Sequence, residues 1–167
     1  YFLESDAEKF IFFSSVKAAA EKVQGEFLTE EVLPMPVGPY GESKIKAEEY
    51  ILSKQELTAQ QQKKVYILRP CMIHGPGNKG NLNLLYKVVK MGIPWPLGAY
   101  DNRRSFCSID NLSFVVEQLI VRDDISSGIY QVGDDEALST NELIRLINDS
   151  LGKKAMIWKL PTGLMNF

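Results

Sequence analysis

Lys9-Phe10-Ile11-Phe12-Phe13-Ser14-Ser15 is the stretch that decides the fold. Its apolar residues run on without polar alternation and end in two hydroxyls, the pattern of a strand buried on both faces of a parallel sheet. In such sheets functional groups gather at the C-terminal ends of the strands. Val65-Tyr66-Ile67-Leu68 reads as a second buried strand, stopped by Arg69-Pro70. Between them, Val16 to Pro39 reads as a surface excursion needing no regular structure, closed by Pro34, Pro36, Gly38 and Pro39. Tyr40 to Lys54 is free of proline and rich in Glu, Lys, Ala, Ile and Leu, so it reads as a helix. Strand, helix and parallel strand make an α/β unit.

Further along, Cys71 to Gly77 reads as a loop, and Asn81 to Met91 as a helix with Gly92 as its stop. Two prolines exclude Ile93 to Leu97 from a central strand. Arg103 to Ile109 reads as a short strand, with Asp110 able to cap a helix from Asn111 to about Val121. Gly128 to Val132 is a strand pattern, and Ser139-Thr140-Asn141-Glu142 has capping-box spacing ahead of a periodic helix ended by Gly152. Gln60 to Lys64 reads as a polar connector, Ala155 to Leu160 as a last strand, and Thr162 to Phe167 as too short for an element.

The 167 residues are 45% hydrophobic and 24% charged, which excludes a disordered tail, a collagen or a coiled coil. With 19 Lys and Arg against 21 Asp and Glu, a net charge of −2 favours neither nucleic acid nor an anionic membrane as partner. Cys71 and Cys107 with a single His74 supply neither a zinc ligand set nor a disulfide framework, so no metal site is expected. No apolar run approaches the roughly 20 residues that span a bilayer, and a cytoplasmic location is the expectation.

Tyr40 and Lys44 stand four residues apart, which puts a phenol and an ammonium on one face of a helix start. An ammonium beside a phenol favours the phenolate, a competent base toward a sugar hydroxyl while a nicotinamide takes the hydride. The alternative is a pair of solvated helix residues. Ser14 and Ser15 either orient that reacting hydroxyl or merely cap the strand. Arg104 either forks onto a diphosphate or is solvated. Asn81 or Asn83 either donates to an anion or caps its helix, and His74 reads as a loop hydrogen-bonder rather than a base. Glu42, Lys46, Glu48 and Glu49 read as the wet face of the helix.

Taken in order, Phe10 to Ser15, Pro39-Tyr40-Gly41-Glu42-Ser43-Lys44, Leu68-Arg69-Pro70, Gly75-Pro76-Gly77, Arg104-Ser105-Phe106 with Ile109-Asp110-Asn111-Leu112, and Gly128 to Gly133 resemble the extended short-chain dehydrogenase/reductases of the nucleotide-sugar epimerase/dehydratase branch. The resemblance implies an α/β fold: the C-terminal part of a Rossmann-type parallel sheet plus a small α/β substrate-binding lobe. Residues 1–77 would be the NAD(P)-binding remnant and 78–167 mainly the nucleotide-sugar lobe. It further implies Ser15, Tyr40 and Lys44 as catalytic, and Ser14, Tyr40, Lys44 and Pro70 as cofactor contacts. Asn81 and Arg104 would bind substrate. NAD, with NADP open, would be the cofactor, a nucleotide-diphosphate sugar the partner, and the whole protein a homodimer.

The glycine-rich pyrophosphate turn of that family has no counterpart after Tyr1, so the chain is expected to be the C-terminal part of an enzyme and inactive alone. Val16 to Ala20 lacks the Asp-Glu pair of the dehydratases and the Tyr-Gly of many sugar epimerases. Met72 stands where several UDP-galactose 4-epimerases carry an asparagine. Asn78 to Asn81 and Asn102 to Phe106 look closer to relatives acting on UDP-N-acetylated sugars. The expected activity is a UDP-sugar 4-epimerase. The alternatives are a UDP-4-keto-sugar reductase and a non-catalytic sugar-nucleotide-binding relative.

Overall fold

A computed structural model describes residues 1–23, 25, 28–77, 80–100 and 102–160. The chain divides into two compact units, 1–71 with 107–133 and 72–106 with 134–167. A cut at 77/78 therefore does not separate them: the chain leaves the first unit after Cys71 and returns to it at Cys107.

After a single 3₁₀ turn at Phe2–Glu4, the first unit is built on β1 (Lys9–Phe13), β2 (Lys64–Pro70) and β5 (Gly128–Val132), parallel in the order β1-β2-β5. Strand β2 is central, with Val65 to Pro70 all buried. Arg69 and Pro70 do not stop it. Arg69 pairs in register with Gln131 and Pro70 with Val132, and just past the proline the Cys71 amide still donates to the Val132 carbonyl at 2.9 Å. The first expectation for β1 is also corrected: it is only partly buried and Phe13 is 46% exposed, because among the described strands β1 has a neighbour on one side only. Tyr66, Leu68, Cys107, Leu112, Leu119 and Val132 form the core, each large side chain contributing about 1.5–3 kcal/mol by its burial. The buried Tyr66 hydroxyl donates to the Ile125 carbonyl, and burial pushes its pKa above the usual phenol value.

Helix α1 (Val16–Ala19) lies within the supposed structureless excursion, nucleated by Ser15 as N-cap. Helix α2 (Gly38–Leu52) starts two residues before Tyr40, with a proline in its first turn where a missing N–H does no harm. At Gly41 a Cβ would come within 2.5 Å of the Lys17 carbonyl oxygen and 3.1 Å of Pro36 Cβ, so only glycine lets α2 approach α1. Helix α3 (Gln55–Gln60) takes up the start of the polar connector.

The second unit carries β3 (Met72–His74), within the stretch expected as a loop, β4 (Arg103–Ser108) and β6 (Ala137–Ser139), in the order β3-β4-β6. Strands β4 and β6 are antiparallel, with Arg104 opposite Leu138. Helices α4 (Asn81–Lys90) and α6 (Thr140–Ser150) follow the sequence expectation closely. The capping box is complete, Ser139 accepting from the Glu142 amide while Glu142 accepts from the Ser139 amide. Helix α5 (Ile109–Val121), in the first unit, is capped by Ser108, whose hydroxyl accepts from the Asn111 amide, and not by Asp110, which lies inside its first turn. Ala155 to Leu160 is not a strand; it makes isolated bridges, Trp95 to Ile157 and Leu97 to Lys159, because Pro94 and Pro96 remove donors a ladder would need. Thr162 to Phe167, and Asn78 and Lys79, lie outside the described residues.

Candidate functional site

In the first unit the candidate chemistry collects at the C-terminal end of β1. Tyr40, Lys44 and Glu48 lie four residues apart along α2 and so share one face. Tyr40 is the outermost, 55% exposed. Lys44 Nζ sits 5.9 Å from the Tyr40 ring centroid and 5.2 Å from that of Phe12, and donates to the Phe13 carbonyl at 2.9 Å. Among the described residues that is its only hydrogen bond, which leaves two N–H donors open. Ser15 follows two residues later, its hydroxyl accepting from the Lys17 amide at 3.3 Å as the cap of α1, with its own proton still to donate. Capping and orienting a ligand are thus compatible in Ser15.

Beneath this lies a charge pair that the sequence reading missed. Glu48, expected on the wet face with Glu42, Lys46 and Glu49, is fully buried, whereas the other three are exposed. Arg69 of β2, 1% exposed, meets it edge-on: Nε lies 3.0 and 3.2 Å from the two carboxylate oxygens and Nη2 2.5 Å from Oε2. Ser14 donates its hydroxyl proton to Glu48 Oε1. Ser14 and Pro70, expected as cofactor contacts, are both buried and offer no exposed side chain for that task. The spacing signal for Glu48 was present, since it continues the Tyr40, Lys44 stripe; its partner 21 residues away was not legible.

In the second unit Arg104 and Asn81, picked from sequence as substrate contacts, line one cavity of about 440 Å³. Leu82 and Leu85 of α4, Phe106 of β4, Leu143 of α6 and the segment from Trp95 to Tyr100 make its walls mainly apolar. Asn141 Nδ2 fastens that segment by donating to the carbonyls of Gly98 and Tyr100 at 3.2 and 3.3 Å. The Trp95 indole N–H is buried without a partner among the described residues, a donor inside an otherwise apolar wall. Met72 lines the same cavity. His74 pairs with Asp134 at 3.2 Å and stands edge-on to Phe106, a structural hydrogen bond in keeping with its expected role.

Residues 3–162 match the family model described as 3-beta hydroxysteroid dehydrogenase/isomerase. The chain is 34% identical over 165 residues to UDP-glucose 4-epimerase from Vibrio cholerae, covering 97% of this chain and 48% of that protein. It is 30% identical over 129 residues to N-acetyl-alpha-D-glucosaminyl-diphospho-ditrans,octacis-undecaprenol 4-epimerase from Escherichia coli O157:H7, covering 77% of this chain and 39% of that one. Among solved structures, UDP-N-acetylglucosamine 4-epimerase from Bacillus cereus matches with a TM-score of 0.80 at 20% identity, over 95% of this chain and 55% of that chain. The Thermus thermophilus UDP-glucose 4-epimerase complex with NAD gives 0.68 at 23% identity, over 92% and 51%. The first curated relative is thus spanned over about half its length, and the solved structures establish the Rossmann-like α/β fold. By the match over nearly its whole length, the chain belongs to the 3-beta hydroxysteroid dehydrogenase/isomerase family, a family of short-chain-dehydrogenase type that takes in epimerases and dehydratases.

Proposed function

We propose that this chain is the proton-transferring and substrate-holding part of an NAD-dependent UDP-sugar 4-epimerase. The observation that carries the reading is the half-exposed Tyr40 phenol beside the Lys44 ammonium, itself pinned to the Phe13 carbonyl two residues before Ser15. The names of the two relatives given above point the same way, each a 4-epimerase of a sugar carried on a diphosphate.

The donor set at the end of β1 fits a nicotinamide ribose: two open N–H groups on Lys44 and the exposed Tyr40 hydroxyl are suited to a vicinal diol. NAD, when bound, supplies the hydride acceptor and donor at C4 of the sugar. The residues of this chain handle the proton. Tyr40 accepts it from the 4-hydroxyl and later returns it, Lys44 stabilises the charge on the phenolate, and Ser15 donates a hydrogen bond to the same sugar oxygen. In the second unit Arg104 offers two parallel N–H groups to the diphosphate and Asn81, at the first position of α4, a neutral donor. Cytoplasmic location and a homodimer belong to this reading as well; no helix among the described residues is long and apolar enough to cross a membrane.

The test is interconversion of UDP-glucose, UDP-N-acetylglucosamine and UDP-glucuronic acid, followed by NMR in the enzyme that carries this chain. Tyr40→Phe should lower kcat by about 10²- to 10⁴-fold. A loss below tenfold would take the proton transfer away from Tyr40. Net reduction of a 4-keto sugar with stoichiometric consumption of NADH, and no epimerisation, would replace the epimerase by a reductase.

A further inference from the structure

Two hydrogen bonds tie α2 to consecutive residues at the end of β1, its last residue Phe13 and Ser14 just beyond it. Lys44 donates to the Phe13 carbonyl, and one turn deeper the Glu48 carboxylate accepts a hydrogen bond from the Ser14 hydroxyl. The deeper contact is braced from a second strand, because Arg69 of β2 grips both oxygens of Glu48. Both charged side chains are essentially inaccessible, Glu48 at 0% and Arg69 at 1%. A buried ion pair is a poor stabiliser compared with packed apolar side chains of the same volume, so its presence calls for a reason other than stability. Its geometry supplies one. A bidentate guanidinium–carboxylate contact fixes distance and orientation together, which a leucine against a methionine would not.

We propose that the buried Glu48–Arg69 pair sets the position of the Tyr40–Lys44 face of α2 against the end of β1, making Glu48 and Arg69 positioning residues for proton transfer at Tyr40. The inference rests on the function proposed above. Neither residue touches substrate. They act through Ser14, which precedes Ser15, and through the shared helix face on which Tyr40 and Lys44 stand.

Kinetics and melting temperatures of three variants separate this from a merely structural role. Arg69→Met alone leaves a buried carboxylate unpaired and lowers Tm. The double variant Glu48→Leu/Arg69→Met removes both charges and recovers most of that Tm. Its kcat should nevertheless stay about 10- to 100-fold low, the size expected of a displacement near 1 Å, with KM for the UDP-sugar nearly unchanged. Glu48→Asp keeps the charge but withdraws the carboxylate by one methylene, and should lower kcat less than the double variant, again at unchanged KM. A double variant that regains kcat together with Tm overturns the proposal. Should that variant fail to fold, Glu48→Asp decides alone, wild-type kcat overturning the proposal and a kcat loss at constant KM supporting it. Tyr40→Phe in the same series keeps the two ideas apart: near-wild-type activity there sinks both, whereas an inactive Tyr40→Phe beside a fully active double variant sinks only the positioning role.

Discussion

The two units hold their candidate residues in opposite ways. At the end of β1, Lys44 is hydrogen-bonded to backbone, Ser15 is engaged as a helix cap, and Ser14 is locked onto a buried ion pair. In the second unit Arg104 and Asn81 are exposed and line an apolar cavity, their side chains with no hydrogen-bond partner among the described residues. Proton transfer demands sub-ångström placement, which rewards groups held in advance. Gripping a diphosphate demands charge and reach, which a solvated guanidinium keeps available. Under the proposed function, rigidity would thus follow the chemistry assigned to each unit.

The sharpest way to break this contrast is to remove one arginine from each unit in the same manner. Arg69→Met should cost about 3–5 kcal/mol of stability, since it strands a buried carboxylate. Arg104→Met should fall within about 0.5 kcal/mol of the wild type, as exposed substitutions do. Denaturant unfolding of both variants measures the difference, and equal losses would mean that Arg104 is as structural as Arg69.

Function should reverse that order. Arg104→Ala is expected to raise KM for the UDP-sugar by about 10- to 100-fold, the worth of hydrogen bonds to a charged group, with kcat changed less. Arg104→Lys should fall between Ala and the wild type, because lysine keeps the charge and loses the fork. An unchanged KM in both would return Arg104 to the solvated surface. A smaller effect tests the rigid side again: Gly41→Ala must push α2 off the Lys17 carbonyl, which overpacking makes worth about 1–3 kcal/mol. A neutral Gly41→Ala would show that α2 can shift against α1 without loss.

What the sequence disclosed follows the range of the interactions involved. β2, β5, α4, α6 and the Ser139 capping box are local patterns of period, propensity and cap chemistry, and each was legible. Tyr40, Lys44 and Arg104 became candidates through residue type and spacing, read together with the family resemblance. Glu48 was misread because burial of a glutamate depends on a partner, and Arg69 joins it only after β2 is laid beside β1. Ala155 to Leu160 failed in the same way: its β-branched and aromatic residues look like a strand, but its opposite number is a proline-interrupted segment. The apolar wall formed by Trp95 and Tyr100 was equally hidden, since the Asn141 contacts that shape it span more than 40 residues.

The mildest test concerns acid sensitivity in the second unit. Hydrogen bonds from the Ser139 backbone and then from its side chain hold the Glu142 carboxyl below the usual carboxylate range, helped by Arg103 and Arg145. Because the folded value is the lower one, this contribution is complete above the unfolded glutamate's value of about 4.3 and is lost as pH falls through the folded value. Glutamine at this position still accepts from the Ser139 amide but cannot titrate. Glu142→Gln should therefore leave Tm almost unchanged at low pH, where the wild-type carboxyl is already protonated, and lower it slightly at pH 7. The wild-type minus variant difference in Tm, followed from pH 7 down to pH 3, should shrink toward zero on acidification. Taking that difference isolates Glu142 from Asp123 and Asp124 of the first unit, whose carboxyls are also held low, by Lys9 and by Arg122 respectively. A difference that stays constant across the range would mean that the capping box of α6 draws nothing from the charge of Glu142.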